Sequence, residues 1–531
     1  MKKYLFIILF LSLLALWPFF KKGYFETHDG QWWIIRFSAF HQTLVAGQFP
    51  VRFVDRLNNN YGYPVLNFDY PLPFYLAEVP KIIGFGFADS IKIVFVASAI
   101  FSSIAMYWAL SQVFSNEAAL AGSILYLYTP YRFVDLYVRG SIGENLAFAI
   151  APVILGLILK LRKGNDIFLP FLAISIASLV LAHNVMAFLY LPALFIIALI
   201  MLKSKIKVIV SFFAGLAVSA FFWIPAIYDL QYIRLSRINV SNISDHLVFL
   251  KYLFVPNWGY GPIPKTASSN GLSVQIGLVS FCVIILSIYI AFKNRDKLRI
   301  IWFLVTTVCI SIFLMTKTSM WFWLNVPFAY IIQFPWRLLG YIIFSVSILG
   351  AYVIDVSNKR KFAAYLIILA SIISTIFYIR PEHFNNLPDS YYSTNESTST
   401  INDEYMPIWV LEKPERRALQ KIEVEAPGEI VSSDIKPAKY QALIRTPNEV
   451  DVKVNTIYFP GWQVDVDGTR QTIDYQNKHG LITFPLPKGR HEVIIKYGKT
   501  PVHLASEIMS LLALIGTGGY LYFLWRRQNQ K

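Results

Sequence analysis

The segment VRGSIGENLAFAIAPVILGLILKLRK, residues 138–163, carries three kinds of chemistry in one line. It opens with Arg139, Ser141, Glu144 and Asn145, runs through an apolar stretch over 142–161, and ends in Arg162-Lys163. A bilayer span needs about 20 mostly apolar residues, and lysine and arginine collect on the cytoplasmic side. The segment therefore reads as a membrane span, with its basic end inside and its polar motif outside.

The rest of the chain repeats the pattern. Further apolar runs lie near 4–20, 91–113, 118–131, 167–182, 185–202, 206–224, 273–292, 299–316, 338–356, 361–379 and 502–525, about twelve spans in all. Met1-Lys2-Lys3 precedes the first, and no small-residue cleavage site follows it. It reads as an uncleaved span with a cytoplasmic N-terminus. Parity then puts Arg162-Lys163, Lys203 to Lys207, Lys293 to Arg299, Lys359-Arg360-Lys361 and the tail from Arg526 inside, and each is basic; the loop near Asn116 is not. Outside fall 21–90, 132–141, 225–272 and 380–501. The first, rich in Trp, Tyr and Pro, suits an interfacial region, and 317–337 reads as dipping into the interface.

Composition agrees. Of 531 residues, 56% are hydrophobic and 15% charged, against about a quarter charged in soluble domains. The net charge of +16 sits in short clusters between apolar runs rather than in a stripe that could follow nucleic acid. Cys282 and Cys309 lie in separate apolar runs, which argues against a structural disulfide or zinc site.

Residues 381–501 differ. KIEVE (421–425), EVDVKVNTIYF (449–459) and HEVIIKY (491–497) alternate, and Asp467-Gly468 between two such runs is a hairpin signal. They predict a β-sandwich outside the membrane. Residues 386–403 read as a flexible polar linker. The expected organisation is a membrane domain over 1–380, the β-rich domain over 381–501, and a last span with a basic tail over 502–531.

Five polar motifs fall on the expected outer face. Thr27-His28-Asp29-Gly30 places a carboxylate where it could accept a proton, bind a metal, or simply cap a helix over 31–46. Tyr61 to Pro73 includes Asn67 and Asp69; it suits a sugar-binding wall or an interfacial belt, and Asp69 is costly in an apolar segment. Arg139 offers a planar fork to phosphate, with Glu144 to orient it, or the two form a structural pair. His183-Asn184 could contact substrate or cap a helix. Gln333-Phe-Pro-Trp336-Arg337 adds a second phosphate candidate, whose alternative is snorkelling to the interface.

These motifs resemble the GT-C superfamily of membrane glycosyltransferases, which use polyprenyl-phosphate-linked sugars. The likeness rests on HDG at 28–30, PVLNFDYPLPFYL at 64–76, VRGSIGENLAF at 138–148, HN at 183–184, FPWR at 334–337, EYMPIW at 404–409 and YFPGWQVDVDG at 458–468. Within it, the chain looks most like the bacterial family linked to glycosylation of lipoteichoic acid. It also resembles an uncharacterised membrane family named after 6-pyruvoyl-tetrahydropterin synthase, although no three-histidine zinc site supports pterin chemistry. The resemblance implies a polytopic helical GT-C-like fold and a catalytic acid in the first outer loop, which is Asp29 here. Many members carry two adjacent acids there, and His28-Asp29 leaves a divalent ion, Mg or Mn, open.

The expectation is a sugar transferase in the cytoplasmic membrane, working on the outer face with inversion. Asp29 would be the base and Asp69 or Glu144 would assist. Arg139 and Arg337 would hold the lipid phosphate, and His28, His183, Asn184 and Trp336 would line the substrate site. Its partners would be a polyprenyl-phosphate-linked donor, an envelope acceptor and membrane lipid, with no nucleic acid. Two alternatives stand beside it: a flippase or transporter of lipid-linked sugars, and a scaffold that presents the β-domain.

Overall fold

A computed structural model describes residues 2–238, 242–263, 271–293 and 299–530. Residues 294–298 of the expected basic loop, Met1 and Lys531 of the expected cytoplasmic termini, and 239–241 and 264–270 of the outer stretch lie outside the described residues.

All twelve apolar runs are helical. Among the described residues seven helices are long and apolar enough to cross a membrane: Lys2–Phe20, Phe87–Leu110, Ile142–Arg162, Asn184–Met201, Pro335–Asp355, Arg360–Tyr378 and Pro501–Asn529. An eighth span arises if Lys205–Val218 and Ala220–Tyr232, bent by 67°, count as one. The other four runs form shorter helices of 12 to 16 residues. The run expected at 118–131 is the helix Asn116–Leu127, which ends before Pro130 opens the next short helix. At about 1.5 Å per residue it reaches only ~18 Å, short of the ~30 Å hydrocarbon core.

The chain is thus a polytopic helical membrane protein with a C-terminal β-domain. Ile142–Arg162 and Pro335–Asp355 are its central helices, 94% buried over their apolar windows. Gly156 lets the first press on its neighbour: a Cβ there would lie 2.0 Å from the Trp108 ring. By contrast Arg360–Tyr378 and Pro501–Asn529 are 17% buried, and Phe362, Leu369, Ile373, Leu512 and Ile515 stay exposed. Such a surface is stable in lipid and not in water.

Strands β1 (Tyr24–Phe25) and β2 (Phe384–Asn385) pair antiparallel and tie the first outer loop to the chain leaving the bundle. The sandwich follows with β3 (Ile422–Val424), β4 (Glu429–Lys436), β5 (Lys439–Thr446), β6 (Val450–Ile457), β7 (Trp462–Val466), β8 (Thr469–Gln471), β9 (Leu481–Leu486) and β10 (Gly489–Tyr497). One sheet runs β4-β5-β10-β7-β8 and the other β3-β6-β9. Inward residues of both, such as Ile444, Val452, Val464, Phe484 and Val493, close one core. Asp467 and Gly468, with φ of 48° and 79°, make the expected two-residue hairpin between β7 and β8.

Two expectations need correction. The first outer loop does not simply lie on the bilayer. Its helix Gly30–Val45 buries Trp33, Ile34, Phe37 and Phe40 in the bundle core, and Phe53 and Phe68 pack into the β-domain core. The helix Leu72–Ile83 keeps an exposed apolar face, with Val79, Ile82 and Ile83. Nor is 386–403 a flexible linker. Asp389–Thr394 is helical, Ser38 donates to the Tyr392 carbonyl at 2.7 Å, and Arg56 grips the Ser393 carbonyl. Polar composition suggests freedom, but backbone carbonyls of this segment accept from buried or half-buried side chains of residues 36–56.

Candidate active site

The site begins with a cap that Asp29 does not make. Asp29 precedes the helix Gly30–Val45 but its side chain makes no capping bond. Thr27 Oγ1 instead accepts from Gly30 N at 2.8 Å. The Asp29 carboxylate is left 41% exposed at the wall of a large cavity. Backbone pairing fixes it there: His28 N donates to the Val138 carbonyl and Asp29 N to the Arg139 carbonyl, each at 2.9 Å.

That pairing brings in the second motif. Asp135–Arg139 forms a wide turn in which Gly140 N reaches back to the Asp135 carbonyl at 2.9 Å. Turns of this i→i+5 kind often mark functional sites. Gly140 takes φ +65°, and a Cβ there would strike Thr27 Oγ1 at 2.3 Å. Arg139 then sits between carboxylates: Nη2 is 3.8 Å from Asp29, and Nη1 is 3.4 Å from Asp135 and bonded to Glu144. Its guanidinium lies 4.4 Å over the Trp336 ring, a face that attracts cations.

Glu144 is the hub. It is fully buried and accepts from Arg139, from Arg337 Nε at 3.2 Å and from Tyr131 OH at 2.8 Å. His183 Nε2 stands 4.0 Å away. Two guanidinia are therefore aimed by one carboxylate beneath them. Arg337 Nη1 donates to the Ile332 carbonyl and Gln333, whereas Nη2 donates to no protein group among the described residues.

Beside this cluster lies a second ion pair. Arg36 Nη1 meets Asp69 Oδ2 at 2.7 Å and its Nε donates to Ser399 Oγ at 2.9 Å. Burial pushes the Asp69 carboxyl above the usual carboxylate range, and Arg36 pulls against it. Ring contacts join the clusters: Arg36 lies over Trp33, Trp33 against Tyr70, and Tyr70 stacks on His183 at 4.6 Å. Gly143 makes room for this, since a Cβ would lie 2.3 Å from Tyr70.

The cavity encloses about 2010 Å³. Asp29, Arg36, Asp69, Arg139, Asn184 and Arg337 line its polar part. Phe188, Leu191, Trp223, Ile227, Leu324 and Phe328 line the remainder. Phe188, Ile227, Leu324 and Phe328 are exposed, so the apolar part of the cavity is open rather than sealed.

Of the expected site residues, Asp29, Asp69, Arg139, His183, Asn184 and Arg337 meet at this cavity. Three do not line it. Glu144 is fully buried against Arg139 and Arg337. Trp336 backs Arg139. His28 turns away, its Nε2 2.7 Å from the Tyr260 carbonyl. His183 also caps a helix, accepting from Met186 N at 3.2 Å. Arg36, Asp135 and Glu404 were missed: Arg36 is lost within an amphipathic helix, Asp135 looked like a loop residue, and Glu404 sits next to the supposed linker.

An all-protein divalent site gathers several anionic or imidazole ligands, whereas Mg is commonly held by one or two carboxylates together with substrate phosphate. Among the described residues no group of three His, Cys, Asp or Glu side chains stands so. Guanidinia take the neighbouring places instead, Arg139 beside Asp29 and Arg36 against Asp69. The described residues thus form no all-protein cage for Mg or Mn.

No family model matches the chain. A curated relative from Lactococcus lactis subsp. cremoris (strain MG1363), itself an uncharacterized protein, is 25% identical over 261 residues, 45% of this chain and 42% of that one. The chain thus spans less than half the length of the relative it matches. Among solved structures it is similar to the arabinofuranosyltransferase AftD from Mycobacteria, with TM-score 0.47 and 14% identity over 71% of this chain and 27% of that one. It is also similar to the oligosaccharyltransferase AglB from Archaeoglobus fulgidus in complex with an inhibitory peptide and a dolichol-phosphate (TM-score 0.44, 14% identity, 75% and 56% coverage). A third is ArnT from Cupriavidus metallidurans bound to undecaprenyl phosphate (TM-score 0.42, 13% identity, 74% and 66% coverage). These neighbours are GT-C glycosyltransferases.

Proposed function

We propose that the chain is a membrane glycosyltransferase. It moves a sugar from a polyprenyl-phosphate-linked donor to an acceptor hydroxyl on the extracytoplasmic face of the cytoplasmic membrane, with inversion. One observation carries the reading: two guanidinia bonded to one buried carboxylate share a cavity with the half-exposed Asp29, and the rest of that cavity is lined by exposed apolar side chains.

Each part has a task. The apolar part takes the polyprenyl chain and leaves its phosphate at Arg139 and Arg337. Asp29 accepts the proton of the acceptor hydroxyl as that oxygen attacks the anomeric carbon. The bond from that carbon to the phosphate oxygen breaks, and the electron pair leaves with the lipid phosphate. The guanidinia, already oriented by Glu144 and Asp135, stabilise that charge without reorganising. Attack opposite the departing phosphate inverts the anomeric centre.

The flippase alternative needs polar groups along a path through the bilayer; here the charged groups are joined in two adjoining clusters. The scaffold alternative gives no use for paired arginines beside an apolar cavity. The test is Asp29→Asn in membranes supplied with labelled polyprenyl-phosphate sugar. Turnover should fall by about 10²–10⁴-fold, the usual worth of a general base; unchanged turnover would sink Asp29 in that role.

A further inference from the structure

The motif EYMPIW, residues 404–409, has no part in the chemistry above, yet it connects the cavity to the outer surface. It pairs antiparallel with 232–235: Ile408 N donates to the Tyr232 carbonyl at 2.9 Å, Arg234 N to Met406 at 2.9 Å and Leu235 N to Glu404 at 2.8 Å. One end of this ribbon lines the cavity through Leu235, Glu404 and Tyr405. The other end carries two rings, Tyr232 and Trp409, with centroids 6.1 Å apart.

Those rings belong to a row. Tyr228 lies 6.2 Å from Tyr232, Trp409 lies 5.1 Å from Tyr475, and Tyr475 stacks on Tyr458 at 4.2 Å and 11°. Tyr228 is exposed and the other four are half-buried. Trp409 Nε1 donates to the Tyr458 carbonyl at 3.1 Å, which fixes the indole. Gly480, at φ +64°, lets the backbone pass, because a Cβ there would lie 2.9 Å from that ring. A membrane-interface belt would gather at helix ends. Trp409, Tyr458 and Tyr475 are instead held on the β-domain. At the junction with the cavity stands Glu404, half-buried, whose carboxylate accepts, among the described residues, from Asn402 N at 3.3 Å.

We infer that this row is the acceptor track, and that the acceptor is a neutral carbohydrate chain. Ring faces with polar edges suit sugars, which present C–H faces and hydroxyl rims. Such a carboxylate accepts from sugar hydroxyls and repels a polyanion. The chain runs over Tyr475, Trp409 and Tyr232, passes Glu404, and delivers its terminal hydroxyl to the cavity. This rests on the transferase reading, whose donor side is measured separately below.

The experiment uses the full chain in nanodiscs, free of sugar-headed detergent. Saturation-transfer NMR reads binding of laminarihexaose, maltohexaose and xylohexaose, with a glycerol phosphate hexamer as the polyanion. Undecaprenyl phosphate binding is titrated on the same discs. At least one neutral hexasaccharide should bind, about tenfold or more weaker in Trp409→Ala and Tyr475→Ala, and unchanged in Tyr475→Phe, which keeps the ring. Absence of binding by all three neutral probes overturns the track, as does equal binding by Tyr475→Ala or preference for the glycerol phosphate hexamer. Hexasaccharide binding without undecaprenyl phosphate binding would overturn the donor reading and leave the track standing.

Discussion

Replacing Glu144 by glutamine removes one negative charge from beneath two arginines while keeping the side chain's shape. Glu144 is fully buried, and Arg139 and Arg337 both donate to it. Two charge-assisted hydrogen bonds are each worth about 1.5–3 kcal/mol. Breaking a buried pair by removing one partner costs about 3–5 kcal/mol. The two routes give losses of about 3–6 kcal/mol and about 3–5 kcal/mol, since the Tyr131 bond survives on the amide oxygen. The site then carries excess positive charge, which an anionic ligand can relieve. Thermal unfolding in detergent, with and without undecaprenyl phosphate, reads both effects. Glu144→Gln should unfold well below the parent and be stabilised more by the lipid. If its phosphate binding is 100-fold tighter, at matched lipid well above Kd, the extra stabilisation is about 2.7 kcal/mol. An unfolding temperature equal to the parent's, with the same lipid response, would refute the hub.

Three further outcomes follow from the same geometry. Thr27→Val removes the cap at Gly30 and should cost about 1 kcal/mol in thermal unfolding. Gly143→Ala places a methyl against Tyr70 and the Ala182 carbonyl and should cost about 1–3 kcal/mol, read by denaturation and by weaker lipid binding. The third is a pH effect. Burial pushes the Lys421 ammonium down to about 8, against the pull of Asp55. Its unfolded form keeps the proton to higher pH, so the cost of burying it is full below pH 8 and relieved as pH rises toward 10.5. Stability should therefore rise across that window, and Lys421→Met should abolish the rise.

Much of this was legible in the chain because two strong constraints act on it. A bilayer forces long apolar helices and sorts lysine and arginine, so every run near an expected span is helical. The hairpin at Asp467-Gly468 was readable because that turn demands positive φ. What local sequence could not reveal is which of several roles a polar residue takes. Asp29 looked like a cap, but Thr27 took that bond and freed the carboxylate. Glu144 looked able to meet substrate, but it is fully buried against the arginines. Arg36 and Ser399 meet across more than 360 positions, and no local pattern announces such a contact. The polar stretch 386–403 looked loose because its partners, Ser38, Arg36 and Arg56, lie in the first outer loop.

The central claim is that Arg139 and Arg337 hold a lipid phosphate beside Asp29. The most direct test is the structure of Asp29→Asn, which keeps both arginines, determined by cryo-electron microscopy with undecaprenyl phosphate. The account predicts phosphate density within hydrogen-bonding distance of both guanidinia, with the lipid chain leaving past Phe188, Ile227 and Leu324. Phosphate held elsewhere, with the cavity's arginines free of it at saturating lipid, would contradict the account.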